Sequence, residues 1–298
     1  MPVGRNKTAV SPVGLNMTIS WKERLGAFGT WRGGSNLDGA LAAHIESLGF
    51  GSIWVGGSPT DDLTQVEGLL DATERIIIAT GIVNIWNTDP AAVVRSYHRI
   101  VARHPDRFLL GVGVGHPESA GQDAARPFRP LVRYLDALEE GDVPRDRLVL
   151  AALGPRVLGL AAERTAGSHP YLVTPEFTRH ARRLIGDALL APEQRVVLSA
   201  DPDAARAVGR TSLRHYLEMR NYLANFRRMG FSESDVSGEG SDHLISELVV
   251  SGDDHTVAAR LQAHRDAGAD HVAVQLLVPP GDDVYEEYRR LAGVLGLS

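Results

Sequence analysis

The chain has 298 residues, 43% of them hydrophobic and 23% charged, with a formal net charge of −6. That is enough for one large core or two small ones, in an ordinary soluble balance. No basic block marks a nucleic-acid face, and the lack of cysteine excludes disulfides, thiolate metal sites and cysteine nucleophiles. Met1 to Ser20 lacks the apolar core of a signal peptide. No apolar run reaches the ~18 residues that span a bilayer, so a cytoplasmic protein with neither membrane nor nucleic-acid partners is expected.

Residues 1–24 read as an N-terminal extension, and residues 25–298 as one domain. Gly26 to Trp31 predicts a short buried strand. Ser35 and Asp38 have capping-box spacing before a helix carrying Leu37, Leu41, Ile45 and Leu48, which Gly49 and Gly51 end. The same grammar repeats. Ser52 to Val55 predicts a strand that breaks at Gly56-Gly57-Ser58-Pro59, and Leu63, Val66, Leu69 and Leu70 make a helical stripe. Ile76 to Val83 is a near-continuous β-branched run, as expected for a strand buried on both faces of a parallel sheet. Asp89-Pro90 sets a cap and then a proline at the first helical position, and that helix runs to His104-Pro105.

The stretch from Arg107 to Pro117 then starts as an apolar strand and ends in alternating glycines. Glycines that close together let a flat ligand, or another backbone, approach the main chain. In the second half, strands are predicted over Leu148–Leu153, His169–Val173, Arg195–Ser199 and His271–Val278. The intervening helices begin at Gly154-Pro155, at Thr174-Pro175 and at Asp201-Pro202, the last running through Leu217. Residues 230–243 are polar and glycine-rich and predict an ordered excursion or a lid. Val257, Leu261 and His264 mark a further helix, and Val284 to Leu295 the last one. Strand and helix thus alternate about eight times, which predicts a (β/α)8 barrel of ~250 residues, with an open doubly wound sheet as the alternative.

In a barrel, function sits at the C-terminal ends of the strands. Those ends carry Trp31, Gly57, Ser58, Asn84, Trp86, Gly113, Gly115, His116, Leu153, Gly154, His169, Tyr171, Thr174 and Gln275, with almost no charge. Such a rim suits a planar, partly apolar ligand held by backbone amides. It offers neither His-x-His nor paired carboxylates for a metal, so no metal is expected. Gly111-x-Gly113-x-Gly115 departs from a dinucleotide fingerprint, because its third glycine comes one residue early and Pro117 follows instead of a helix. Tight packing at a barrel rim explains the glycines equally well. The helix starts at Gly154-Pro155 and Thr174-Pro175 favour a phosphate, or are routine strand-to-helix turns. His116 and His169 are candidate proton shuttles, or hydrogen-bonded structural histidines.

Taken in order, Leu25 to Trp31, Leu48 to Gly57, Ala79 to Pro90, Arg107 to His116, Ala151 to Pro155 and Ala267 to Gln275 resemble the bacterial luciferase-like family. Within it they resemble the branch that uses the deazaflavin coenzyme F420. The resemblance implies a TIM barrel with insertions, a cofactor pocket at the strand C-termini, and a bulge on the third strand with a non-prolyl cis peptide at Gly81 and Ile82. It further implies that Trp31, Gly57, Val83 and Asn84 line the cofactor ring, that Gly113 and Gly115 permit close approach, and that Leu153, Gly154 and Thr174 lie near the phosphate tail. His116 and His169 become the candidate catalytic residues. The family's sugar-phosphate dehydrogenases carry an Asp-His pair and an acidic residue where this chain has Gly57, Ser58 and His116, so their acid–base machinery does not carry over. The expected activity is F420-dependent hydride transfer with a small organic substrate. The alternatives are an FMN-dependent monooxygenase and a non-catalytic flavin- or deazaflavin-binding protein. A homodimer is implied by the resemblance alone.

Overall fold

The computed structural model describes residues 20–115 and 126–297. The described residues form eleven strands: β1 (Phe28–Gly33), β2 (Ser52–Gly56), β3 (Ile77–Thr80), β4 (Val83–Asn84), β5 (Phe108–Gly113), β6 (Leu148–Leu150), β7 (Gly167–Ser168), β8 (Leu189–Leu190), β9 (Glu193–Val197), β10 (Val249–Ser251) and β11 (Val272–Leu276). Each pairs in parallel with its neighbours, in the order β10-β9-β11-β1-β2-β3-β5-β6-β7-β8, with β4 beside β5. Only Ala191 and Pro192 separate β8 from β9, and this ribbon bonds on both sides. Leu189 and Glu193 donate to Ala166 and Pro170, while Asp270 and Ala273 donate to Leu190 and Pro192. The ribbon therefore closes the sheet. With β3/β4 and β8/β9 each counted as one wall position, and β10 set aside because it pairs only with β9, eight positions remain; the result is a (β/α)8 barrel, and the open doubly wound alternative falls.

Both faces of the strands are buried, which is why their sequences read as continuous apolar runs. Trp54, Ile77, Ala79, Leu109, Val149 and Ala273 pack inside the barrel. Ile53, Val55, Ile78, Phe108, Leu110, Val112 and Val274 pack outward under the helices. The short helix Trp21–Arg24 plugs the N-terminal mouth: Trp21 joins the interior cluster and its indole donates to the Asp146 carbonyl. Helix starts follow the cap chemistry. Asp89 and Asp201 each accept two backbone N–H groups ahead of Pro90 and Pro202. At the first long helix, Gly39–Ser47, Asp38 itself caps the end by accepting from Leu41, and Ser35 lies in a 3-10 turn, so the expected capping box does not form.

The apolar run 76–83 is not one strand. Ala79 pairs with Leu109 and Val83 with Val112, so four steps on one strand oppose three on the other. The extra residue makes a bulge, and the Gly81–Ile82 peptide within it is cis, where the resemblance put it. The alternating glycines of β5 form the mould for this bulge. A Cβ on Gly111 would stand 2.0 Å from the Thr80 carbonyl oxygen, one on Gly113 3.2 Å from Ile82 Cγ1 and 2.9 Å from Ala151 Cβ, and one on Gly115 2.4 Å from Asn84 Nδ2. Residues 111, 113 and 115 thus receive residues 80, 82 and 84 in turn. Thr80 Oγ1 seals the first contact, donating to the Gly111 carbonyl and accepting the Gly111 amide, both at 2.8 Å.

The wall departs from expectation at β7. The segment His169–Val173 is not a strand; the strand is the two residues Gly167–Ser168, after which Leu172 takes a left-handed conformation (φ 55°). Above that point the upper half of β9 pairs with β10 instead. An excursion fills the gap: helices Pro202–Leu213, Arg220–Arg228 and Asp242–Leu248, with a 3-10 turn at Arg214–Glu218. It has its own core, built on Leu213, Tyr222, Phe226, Leu244, Ile245 and Leu248, with Phe231 and Val236 contributed by the glycine-rich stretch 230–243. No helix among the described residues is long and apolar enough to cross a membrane.

Candidate active site

A cavity of about 800 Å³ opens at the C-terminal ends of the barrel strands, within the size range of small-molecule sites. Trp31, Gly57, Gly81, Ile82, Gly115, Leu153, Gly154 and His169, all singled out from sequence, line it. Gly113, Val83, Asn84 and Thr174 do not line it. Gly113 lies beneath Ile82 and Ala151, so the close approach expected there is made by the protein itself. Val83 faces outward into the layer between strands and helices. Asn84 folds onto its own turn and accepts from the Trp86 amide at 3.0 Å. Thr174 is spent on capping helix Pro175–Ile185, where it accepts from the Phe177 amide. His116 lies outside the described residues.

The deep end is uncharged and aromatic. Trp31 rests on Gly56, where a Cβ would stand 1.9 Å from the indole, and donates from Nε1 to the Gly81 carbonyl at 3.2 Å. Its ring lies 5.3 Å from that of Tyr171. His169, 1% exposed, stacks on Trp54 with centroids 4.1 Å apart and planes at 13°. Its Nδ1 donates to the Ala191 carbonyl at 2.7 Å, which leaves Nε2 as an acceptor. Burial pulls the imidazole down to about 4 against the opposing pull of that bond, so it is neutral at pH 7. Nε2 has no partner among the described residues.

One side of the deep end rests on a buried polar cluster that the strand-end reading left out. Arg195 donates to the Tyr171 hydroxyl at 2.8 Å, and Tyr171 donates to Gln275 Oε1 at 2.9 Å. The guanidinium also stands 4.8 Å from the centre of the Tyr216 ring, within cation–π range. Glu193 accepts from the Leu172 amide at 3.0 Å and lies 3.7 Å from Arg195 Nε. Burial pushes its carboxyl up to about 7, although Arg195 opposes the shift. Tyr171 and Tyr222 are pushed well above the usual phenol range by burial and present neutral hydroxyls. Tyr216, Asn221 and Tyr222 join the lining from the excursion.

The mouth has the opposite character. Arg126, Arg129, Arg156 and Arg228 line it, and none of the four forms an ion pair with a described carboxylate. Between them lies the N-terminus of helix Pro155–Arg164, whose cap Gly154 supplies no side-chain acceptor. Arg228 bonds the Leu153 carbonyl at 3.1 Å and so pins the excursion to the end of β6. The sequence expectation of a nearly uncharged site is therefore wrong for the mouth. Counting strand ends misses arginines that arrive from the approach to helix Phe128–Glu140 and from the excursion. Arg156 was the one in reach, two residues after Gly154. Guanidinium groups with no described carboxylate partner around a helix N-terminus suit an anion. The whole arrangement suits a ligand with a flat uncharged head and an anionic tail.

Residues 38–141 match the family model of the luciferase-like monooxygenases, so the resemblance read from the sequence is borne out over that stretch. No curated protein matches the chain. Among solved structures, an F420-dependent secondary alcohol dehydrogenase in complex with an F420–acetone adduct superposes with a TM-score of 0.72 at 15% identity, covering 91% of this chain and 98% of that one. The coenzyme F420-dependent tetrahydromethanopterin reductase of Methanopyrus kandleri gives 0.62 at 15% identity, covering 89% and 97%. The oxygenating constituent of 3,6-diketocamphane monooxygenase from Pseudomonas putida, in complex with FMN, gives 0.62 at 13% identity, covering 91% and 96%. At such identities the likeness establishes the fold, a luciferase-like TIM barrel.

Proposed function

We propose that the chain is an oxidoreductase that uses coenzyme F420 to exchange a hydride with a small organic substrate. The observation that carries this is the polarity of the cavity: an uncharged aromatic head end beside the bulge, and four arginines at the mouth. A deazaflavin with a phosphodiester and a carboxylate-bearing tail has that same distribution of charge. The orphaned buried acceptor on His169 and the uncapped helix at Gly154 fit such a group. Trp31, Gly57, Gly81, Ile82 and Gly115 would hold the ring, and Leu153, Gly154, Arg156 and Arg228 the tail.

Bound there, the coenzyme would supply the two-electron redox chemistry. The chain's own residues orient the ring and exclude water from its deep edge. Tyr171, held by Arg195 and Gln275, places a neutral hydroxyl at the cavity floor. His169 offers a neutral acceptor. Val83, Asn84, Gly113 and Thr174 act behind the wall, shaping the bulge and the helix start.

A second reading is an FMN-dependent monooxygenase, which the luciferase-like monooxygenase match over residues 38–141 favours. Titration of the protein with F420 and with FMN, followed by fluorescence, separates the two. Tighter binding of F420 is expected, with an affinity that weakens as salt rises because the mouth is cationic. If neither binds, both readings fail, and with them that of a non-catalytic binder. Tight binding with no turnover across a broad substrate panel favours the binder. A homodimer is part of the same proposal, and light scattering tests it.

A further inference from the structure

Three histidines are fully buried among the described residues, at positions 169, 264 and 271. Two of them have both ring nitrogens engaged. His271 Nδ1 lies 2.9 Å from the Gly26 carbonyl, and its Nε2 receives the Trp54 indole at 3.1 Å. His264 Nδ1 lies 2.8 Å from Thr178 Oγ1, and its Nε2 lies 2.9 Å from Gln194 Oε1. In His169 the inner nitrogen is bonded to Ala191 and the outer one has no partner among the described residues, although its ring lines the cavity.

An unmet buried acceptor costs about 1–3 kcal/mol, so most such groups have partners. The ring cannot turn to find one. The Trp54 stack fixes its plane and the Ala191 bond fixes its tautomer. Nε2 stands 3.3 Å from the point where a Cβ on Gly81 would sit, so it is aimed at the surface of the bulge, at the end of the cavity away from the arginines. An acceptor in that place calls for a ligand N–H or O–H at the uncharged, deep end.

We propose that His169 Nε2 accepts a hydrogen bond from the pyrimidinedione N–H of the bound cofactor ring, making His169 a specificity-determining positioning residue. The assignment rests on the cofactor reading above. Flavins and deazaflavins share this N–H, and it belongs to the neutral end of the molecule, away from the anionic tail. A neutral imidazole accepts this bond, whereas an imidazolium would present a second donor and lose it.

The test uses ring-only probes: 8-hydroxy-5-deazariboflavin and riboflavin, each with and without a methyl group on N3. The wild-type protein should bind at least one parent ring about tenfold or more tighter than its methylated form, the scale of one buried hydrogen bond. His169→Ala, which removes the acceptor and makes room for the methyl group, should lose that preference, and His169→Gln, whose amide oxygen accepts, should regain part of it. Where His169→Ala does not fold, His169→Phe keeps the stack on Trp54 without the acceptor and serves in its place. A wild-type protein indifferent to methylation, or a variant without the acceptor that keeps the full preference, overturns the assignment and leaves the cofactor reading standing. Failure of all four rings to bind where F420 or FMN does bind also overturns the assignment, and failure of F420 and FMN as well rejects both.

Discussion

Two walls of one cavity are built on different principles. The wall of β3, β4 and β5 is a backbone device: residues 80, 82 and 84 sit on glycines 111, 113 and 115, with no room between them. The opposite wall, from Leu172 through the excursion, is a side-chain device, made of tyrosines, an arginine and a second core. The first sets a shape that tolerates almost no substitution. The second supplies the polar groups and is joined to the barrel by the Arg228–Leu153, Arg195–Ser212 and Gln194–Leu248 bonds and by Leu172 and Val197, which enter its core. A fold that keeps support and selectivity on separate walls can change one while preserving the other.

The largest expected break lies on the first wall. Gly111→Ala would drive a Cβ to 2.0 Å from a backbone oxygen, and neither strand can yield. A loss of more than about 4 kcal/mol is expected, at the extreme of single substitutions, read by denaturant unfolding. Gly154→Ala, where the nearest atom to a new Cβ is 3.9 Å away on a flexible arginine, should change stability little. On the second wall, Phe226→Ala empties a fully buried site in the excursion core. It should cost about 3–4 kcal/mol. If the walls are as separate as they look, its hydrogen-exchange signature is loss of protection in residues 202–251 ahead of β1 to β6.

A further effect is graded with pH. His169, His264 and His271 are held by burial at about 4, 3 and 3, against about 6.5 in an unfolded chain. A lowered pKa means stability that is present above pH 6.5 and is lost as pH falls through the folded value. Each histidine contributes a slope of up to about 1.4 kcal/mol per pH unit within that window. Glu193, raised to about 7, works in the opposite sense: its contribution is present below the usual carboxylate range and is lost as pH rises through 7. His169→Gln should therefore flatten the acid limb of a stability–pH curve by about one proton. An unchanged limb would mean that His169 is not held neutral.

The sequence made the first wall readable and the second largely not, for physical reasons. β-Branched runs and Asp-Pro caps report strands and helix starts locally, so the barrel and the helices after Asp89 and Asp201 could be placed. β7 could not. It is two residues long, while the apolar stretch after it looks like a strand and is a loop. Helix Arg220–Arg228 carries only Tyr222, Asn225 and Phe226 to the interior among three arginines, too thin a stripe to stand out. The cluster of Glu193, Arg195 and Tyr171 is assembled across the barrel, and no spacing along the chain announces it. The glycines of β5 were readable as a site of close approach, though not as to what approaches.

Those glycines also fix alignment. A parallel ladder alone repeats every two residues and would tolerate a slide of one strand along its neighbour. Here a slide by two residues would bring Leu109 against Thr80, where only hydrogen fits. The three glycines work as the wards of a lock, admitting the bulged strand at one setting, so that the cavity floor is cut to the same depth in every molecule that folds.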